Sequence, residues 1–391
     1  MSENISKSNR RIKMGMVGGG PGAFIGEVHR MAARLDNQIE LVCGSFSSDF
    51  EKSKQTGADL FLDPERVYAD FNQMMTREAA LPAGERMDFV SIVTPNHLHL
   101  PPAAAALEAG FHVMSDKPAT LNLAEAKALK SLVEKSGLLY GLTHTYLGYP
   151  MVKQARAMVK DGKLGDIRKI LVEYPQGWLS DFIEKSGENK QAEWRADPNR
   201  SGISGAFGDI GTHAHNLAEY ISGLMMTEVC ADLNIYVKGR MLDDDGSILF
   251  RMENGASGAL TASQICAGEE NALKIKIYGE KGGLEWHQMK PYELIHKPHG
   301  SVMKVYTAGV DKNNLYAEAY AACRVPSGHP EGYLEAFANL YTGFAEAIRA
   351  KDRDYRGHDL IGINEGVRGM AFVDAVVRNS GSDQKWTKID I

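Results

Sequence analysis

"MGMVGGGPGAFIGEVHRMAARL", residues 14–35, is the stretch on which the fold turns. It overlaps an apolar strand candidate, Ile12–Val17, and opens a helical pattern, Ile25–Leu35. Glycines at 18, 19, 20, 22 and 26 let the main chain turn tightly and approach a pyrophosphate, while the helix N-terminus supplies N–H groups and positive potential. Glycines alone are a weak fingerprint, and a ligand-free glycine turn is the plainer alternative. Strand, turn and helix in that order favour a dinucleotide. The spacing departs from a simple GxGxxG: Gly18 and Gly20 fit, and Pro21–Ala23 look inserted before Phe24, Ile25 and Gly26.

Downstream the alternation continues. Short apolar runs at Ile39–Gly44, Phe89–Val93, Phe111–Ser115 and Leu139–Thr143 alternate with helical patterns near Phe71–Ala80, Leu100–Ala109 and Leu123–Ser136. Runs apolar on both faces and separated by helices predict a parallel sheet with right-handed crossovers. Gly110 and Gly137 stand where helix C-caps belong, each followed at once by a strand. After residue 146 the texture changes. One amphipathic helix (151–165) precedes a strand, Ile167–Tyr174; a polar stretch, 180–204, reads as a loop over a site, and a helix spans Asp209–Ser222. Val229–Thr307 reads as antiparallel strands, with hairpin signals at Asn254-Gly255 and at "GEKGG" (279–283). A loop (308–331) and two helices, Tyr333–Ala350 and Asn364–Asn379, complete the chain. The expected fold is an α/β, doubly wound Rossmann domain over 1–145. An α+β domain for substrate binding, with a large and mostly antiparallel open sheet, follows over 146–391.

Composition agrees with two domains: 391 residues, 43% hydrophobic, are enough for two full cores. A net charge of −6 carries no basic footprint for nucleic acid. Cys43, Cys230, Cys266 and Cys323 are far apart, which suits reduced thiols and offers neither a disulfide framework nor a zinc site. The polar start, "MSENISKSNRRIK", has no apolar core of a secretory signal, and no apolar run approaches the roughly 20 residues of a membrane span. A cytoplasmic location is expected.

Coenzyme choice falls to the end of the second strand, where an acid would hold a ribose 2′-OH and repel a 2′-phosphate. "CGSFSSDFEKSK" (43–54) has no acid directly after the strand. Ser47 and Lys52 are either phosphate ligands or solvated helix-start residues, and Asp49 either a ribose ligand or an N-cap. The stretch leans to NADP over NAD. In "VTPNHLHLPPAAAALEAG" (93–110), Thr94, Pro95 and Asn96 fall on the carboxyl edge of the sheet, with His99 as a cofactor contact and His97 as a capping or packing residue.

"FHVMSDKPAT" (111–120) ends a strand on Lys117, between Asp116 and Pro118. Proline removes a donor and fixes φ, so the chain turns and aims the lysine into the cleft. In "SGISGAFGDIGTHAHNLAEYISG" (201–223), Asp209 and His213 are four apart and face the same way on a helix. Taken without Lys117 they read better as an N-cap and a core histidine. His213 and His215, two apart, point to different sides, so no metal site is expected.

"MSDKPA" and "GDIGTHAHN", with the glycine turn and the α/β-then-β layout, resemble the glucose–fructose oxidoreductase/inositol dehydrogenase/MocA family over nearly the whole chain. That resemblance implies a catalytic group of Lys117, Asp209 and His213. It implies a Trp-Arg loop in "EWRADPNRSGISGAFGDIGTH", bringing Trp194 and Arg195 to the nicotinamide or substrate, and sheet-to-sheet homo-oligomers, dimeric or tetrameric. Asp116, expected against the cofactor, stands where the family more often has Glu. Histidine suits a base for a hydroxyl proton, and a lysine ammonium suits the growing alkoxide. Asp209 would accept a substrate hydroxyl and position both it and His213. For substrate, His144, Tyr146, Trp178 in "EYPQGWL", Arg195, and His329 with Tyr333 in "SGHPEGY" offer aromatic planes beside hydrogen-bonding groups. They suit a sugar, anhydrosugar, glycoside or inositol; Trp178 and Tyr333 read equally as packing residues. The leading expectation is an NAD(P)-dependent dehydrogenase of secondary alcohols. A glycosidase using tightly held NAD by transient oxidation, and a non-catalytic nucleotide sensor, stand as alternatives.

Overall fold

The computed structural model describes residues 10–187, 189–309, 313–351 and 360–391. Residues 1–9 of the polar N-terminal stretch and 310–312 of the 308–331 loop lie outside the described residues. The first half runs β1 (Ile12–Gly18), α1 (Phe24–Leu35), β2 (Ile39–Ser45), α2 (Phe50–Asp59), α3 (Phe71–Ala79), β3 (Phe89–Val93), α4 (Leu100–Glu108), β4 (His112–Asp116), α5 (Leu123–Ser136) and β5 (Tyr140–Thr143). All five strands are parallel, in the order β2-β1-β3-β4-β5. The strand order reverses between β1 and β3, and a crevice opens there at the carboxyl edge, where ligands of open α/β sheets bind. Gly137 caps α5 in the left-handed region, as its place in the sequence predicts. Helix α2 follows the N-cap alternative for Asp49; it buries only Ser53, Thr56 and Gly57, so it has no apolar period to read. Its start is held instead by Asp49, which accepts the N–H groups of Glu51 and Lys52.

The second half runs α6 (Pro150–Lys160), β6 (Ile167–Pro175), α7 (Lys190–Arg195), α8 (Pro198–Ser201), α9 (Thr212–Ser222), β7 (Met226–Asn234), β8 (Asp245–Met252), β9 (Ser257–Ser263), β10 (Lys274–Gly279), β11 (Gly282–His287), β12 (Glu293–Pro298) and β13 (Lys304–Thr307). It ends with α10 (Ala317–Ala321), α11 (Tyr333–Ala350), α12 (Ile363–Ser380) and β14 (Thr387–Lys388). The described strands form one sheet, β13-β12-β11-β10-β6-β9-β8-β7-β14. It is antiparallel except between β6 and β9. Along β8 the residues Gly246, Ile248, Phe250 and Met252 are buried while Ser247, Leu249 and Arg251 are exposed, so one face packs on helices and the other is open.

Two features of this layout place the site. The polar stretch 180–204 is not a plain loop but carries α7 and α8, capped by Asn189 and Asp197. Helix α11, distant in sequence, packs on the parallel sheet: Phe337, Tyr341 and Phe344 join Met14, Met16, Phe89 and Met114 in one apolar cluster. Within it, Tyr341 OH lies 2.6 Å from His29 Nδ1 and 2.9 Å from Ser91 Oγ, which satisfies three buried polar groups of different elements together.

Candidate active site

At the β1/β3 reversal lies a cleft of about 330 Å³, lined by Pro21, Gly22, Ala23, Phe24 and Ile25 of the glycine turn, by Thr94–Asn96, and by Asp116 and Lys117. The turn fits a dinucleotide. Helix α1 has no side-chain cap, so its first N–H groups are free for an anion. A Cβ on Gly26 would stand 2.4 Å from the Cα of Gly19, so only glycine allows this closure. Gly18 ends β1 with φ +89°, and Gly20 backs onto the carbonyl of Phe46, 2.7 Å from where its Cβ would be. Phe24 is 64% exposed and forms one wall.

Other residues expected here are placed differently. Ser47 accepts the N–H of Asp49 at 3.1 Å, and Lys52 pairs with Asp49 at 3.3 Å; neither lines the cleft, and Asp49 serves as an N-cap. His99 is buried, with Nδ1 2.6 Å from the carbonyl of Pro118 and Nε2 2.8 Å from that of Thr94. It ties the β3 and β4 ends together and presents no nitrogen to the cleft. Thr94 donates to the carbonyl of Leu98, and Asn96 to that of Ser201.

Lys117 leaves β4 directly after Asp116, whose Oδ1 accepts the Lys117 N–H at 2.8 Å and the Thr143 hydroxyl at 3.0 Å. The Lys117–Pro118 peptide is cis. The ammonium donates to Asp209 Oδ1 at 2.6 Å and to the Asp209 carbonyl at 2.8 Å, across 92 residues of chain. Asp209 does not cap α9. It lies in a π-helical turn, Phe207–Gly211, a distortion common at functional sites. The N-terminus of that segment is held by buried Asp243, which accepts the N–H groups of Gly205 and Phe207 and the hydroxyl of Ser204. Asp209 Oδ2 takes Arg195 Nε at 3.2 Å and Gln264 Nε2 at 2.9 Å. Burial pushes the Asp209 carboxyl upward, but the Lys117 and Arg195 charges outweigh it and hold the group well below the usual carboxylate range.

His213 is buried with its ring edge-on to His144 at 5.3 Å and to Tyr146 at 4.9 Å. Its Nδ1 has no hydrogen-bond partner among the described residues. Burial, then the Lys117 charge and His144, push its pKa well below the ordinary value, and Asp209 opposes them only in part. His144 is pushed down to about 3, mainly by burial. Both imidazoles are neutral at pH 7, which is the protonation state a general base needs before it takes a proton.

Around this trio, beside the expected Tyr146, the structure gathers Tyr174, Gln176, Gln264 and Asn271, which sequence reasoning missed. Strands β6 and β9 are parallel, so their carboxyl ends, Pro175 and Ser263, pair. Gln176 and Gln264 therefore leave side by side. Residue 271, just before β10, comes alongside because Lys274 pairs with Glu173. Asn271 Oδ1 accepts from Tyr174 OH at 2.6 Å and from Gln176 Nε2 at 2.8 Å, and Asn271 Nδ2 donates to Tyr146 OH at 3.1 Å. Tyr146 and Tyr174 hydroxyls bond each other. Trp178 Nε1 donates to Gln176 Oε1 at 3.0 Å, and the Arg195 guanidinium lies 4.2 Å from the Trp194 ring and 5.9 Å from that of Trp178. The alternation Tyr174, Gln176, Trp178 carried this signal; Gln264 and Asn271 carried none. Tyr333 is half-buried beside Thr145 and edge-on to Phe337. His329 is exposed, with Nδ1 3.1 Å from the carbonyl of Pro326, and among the described residues no hydrogen bond joins it to the cluster.

A carboxylate only accepts, so Gln264 must turn its NH₂ toward Asp209. Gln264→Leu removes a buried donor to a charged oxygen and is expected to cost about 1.5–3 kcal/mol of stability, read by urea unfolding. A change below about 0.5 kcal/mol would show that this bond does not hold Asp209.

Comparison with known proteins agrees with this picture. Residues 12–144 match the model of the oxidoreductase family with an NAD-binding Rossmann fold, and residues 152–285 that of the GFO/IDH/MocA C-terminal domain. The uncharacterized oxidoreductase YfiI of Bacillus subtilis is 34% identical over 389 residues, 97% of either chain. An oxidoreductase structure from Sinorhizobium meliloti is 45% identical with TM-score 0.88, covering 97% of this chain and all of that one. An inositol dehydrogenase homologue from Azotobacter vinelandii, solved with NAD+, is 34% identical with TM-score 0.92, covering 99% of this chain and all of that one. Its complex with NADH and myo-inositol aligns at 33% identity and TM-score 0.89, over 97% of this chain and 98% of that one. The chain is an NAD-binding oxidoreductase of the Gfo/Idh/MocA family.

Proposed function

We propose that the protein oxidises a secondary alcohol of a neutral sugar or cyclic polyol, with NAD as coenzyme, in a cleft between a dinucleotide-binding part (1–145) and a substrate-binding part (146–391). The observation that carries this reading is the 2.6 Å contact of Lys117 with Asp209, next to a buried, neutral His213. His213 accepts the hydroxyl proton. Lys117 and Arg195 share the single carboxylate of Asp209, which leaves one positive charge in excess where an alkoxide forms. Asp209, fixed by three side chains, orients the lysine and accepts a substrate hydroxyl. When bound, the nicotinamide supplies the hydride acceptor. The amides of Gln176, Gln264 and Asn271 and the phenols of Tyr146 and Tyr174 are neutral partners matched to several hydroxyls on one ring.

NAD is favoured over the NADP that the sequence suggested. Asp49 places a negative charge at the start of α2 and engages Lys52, which weakens any 2′-phosphate site there. The Azotobacter homologue was solved with NAD+ and with NADH. The open face of the large sheet supports a homo-oligomer, checked by light scattering.

The test is a spectrophotometric screen of free sugars, inositols and glycosides with each coenzyme. Reduced nicotinamide should accumulate with at least one free sugar or polyol, with kcat/KM for NAD about tenfold or more above NADP. No accumulation across the panel would overturn the reading, and release of sugar from a glycoside without net reduction would replace it with the glycosidase.

A further inference from the structure

Helices α7 and α8 belong to the second half of the chain, yet they roof the dinucleotide cleft: Lys190, Gln191, Glu193, Trp194, Arg195 and Arg200 face the glycine turn across it. The roof is seated on the first half at its far end. Ser201 receives the Asn96 amide at 2.9 Å, and Gly202, φ +107°, lies so close to the Leu121 carbonyl that a Cβ would stand 2.8 Å from it. Two of its cations have no evident structural role. Among the described residues neither Lys190 nor Arg200 makes a side-chain hydrogen bond or ion pair, whereas neighbouring Arg195 is engaged by Asp209 and Gln191. Glu193, three residues after Lys190, directs its carboxylate toward Gly187, 3.6 Å from the Cβ position there.

Gly22 shows where these charges point. Its φ is +77°, and the space its side chain would fill is empty except for Lys190 Nζ at 3.9 Å. That space lies just before the uncapped N-terminus of α1. A helix end and a glycine turn offer N–H groups and about half a unit of positive charge, against the two negative charges of a dinucleotide's diphosphate. We propose that Lys190 and Arg200 supply the missing cations and bind the diphosphate from the opposite side. The dinucleotide is then clasped between the glycine turn and a roof contributed by the substrate-binding half. Its retention depends on both halves of the chain.

This inference concerns the coenzyme alone and is independent of which alcohol is oxidised, so it is tested without substrate. NADH, and ADP-ribose, which carries the diphosphate without the nicotinamide, are titrated by calorimetry against Lys190→Ala, Arg200→Ala, Lys190→Arg and the control Lys185→Ala. Each of the first two should weaken both probes about tenfold and flatten the dependence of Kd on salt. Lys190→Arg, which keeps the charge, and Lys185→Ala, which alters an exposed lysine outside the cleft, should bind within about twofold of the parent. Unchanged Kd for NADH in both alanine variants overturns the proposal. So does weakening confined to NADH, because the contact would then be to the nicotinamide.

Discussion

Lys117→Met is expected to lower kcat by about a thousandfold while NADH still binds, because the stem is kept and the charge at the reacting oxygen is lost. The variant also carries a second signature. The Lys117 charge holds down both Asp209 and His213. In the parent the acid limb of kcat/KM, where the base becomes protonated, should lie well below the ordinary histidine value of 6.5. Removing the ammonium makes imidazolium easier to form and leaves the Asp209 carboxylate pulling the same way, so the limb should move upward in pH. His213→Ala should lower kcat by a similar factor, about 10²–10⁴, and abolish that limb. Near-parental turnover in either variant, or a limb that stays in place in Lys117→Met, would remove the catalytic roles argued for this pair.

A pronounced loss of stability on mild acidification is the second expected result. His29, His144 and His213 are buried and neutral, with His29 pushed down to about 4 and His144 to about 3, chiefly by burial. In the unfolded chain each titrates near 6.5. Above that pH both states are neutral and the histidines cost nothing. Below it the unfolded chain takes up protons that the folded chain cannot, so stability falls as pH falls. At pH 5 the deficit is about 2 kcal/mol each for His29 and His144, and His213 adds to it in the same direction. The carboxylates of Asp36, Glu78, Asp209 and Glu219 are held low by their cationic partners, so their contribution persists through this window and fails only at lower pH. Urea unfolding midpoints at pH 7 and pH 5 measure the effect, and equal midpoints would contradict it. Replacing His144 by Leu should remove about 2 kcal/mol of the dependence.

Strongly patterned elements were legible in the sequence. Phe89–Val93, Leu123–Ser136 and Tyr333–Ala350 form over the residues that periodicity and caps indicated. Helix α2 was signalled only by its cap, Asp49, because a polar helix leaves no period to read. The stretch 180–204 concealed α7 and α8 for the same reason. Spacing brought Asp209 and His213 together, but the N-cap alternative for Asp209 fell only when Lys117, Arg195 and Gln264 were seen on its carboxylate. Ser47, Lys52, His99 and His329 looked functional by type and place. The fold turns the first two to local contacts near the start of α2, the third to main-chain carbonyls and the last to solvent.

Local order in the chain, then, determined the alternation of strands and helices, the glycine turn and the residue types able to move a proton. These follow from contacts within a few residues, which a linear pattern records. Tertiary structure decided which distant groups meet. The pairing of β6 with β9 set Gln264 beside Gln176, the π turn brought Asp209 to Lys117, and the seat on Ser201 and Gly202 carried Lys190 over Gly22. Such meetings depend on strand register and helix seating across a hundred residues or so, and neither leaves a mark at the positions that finally touch.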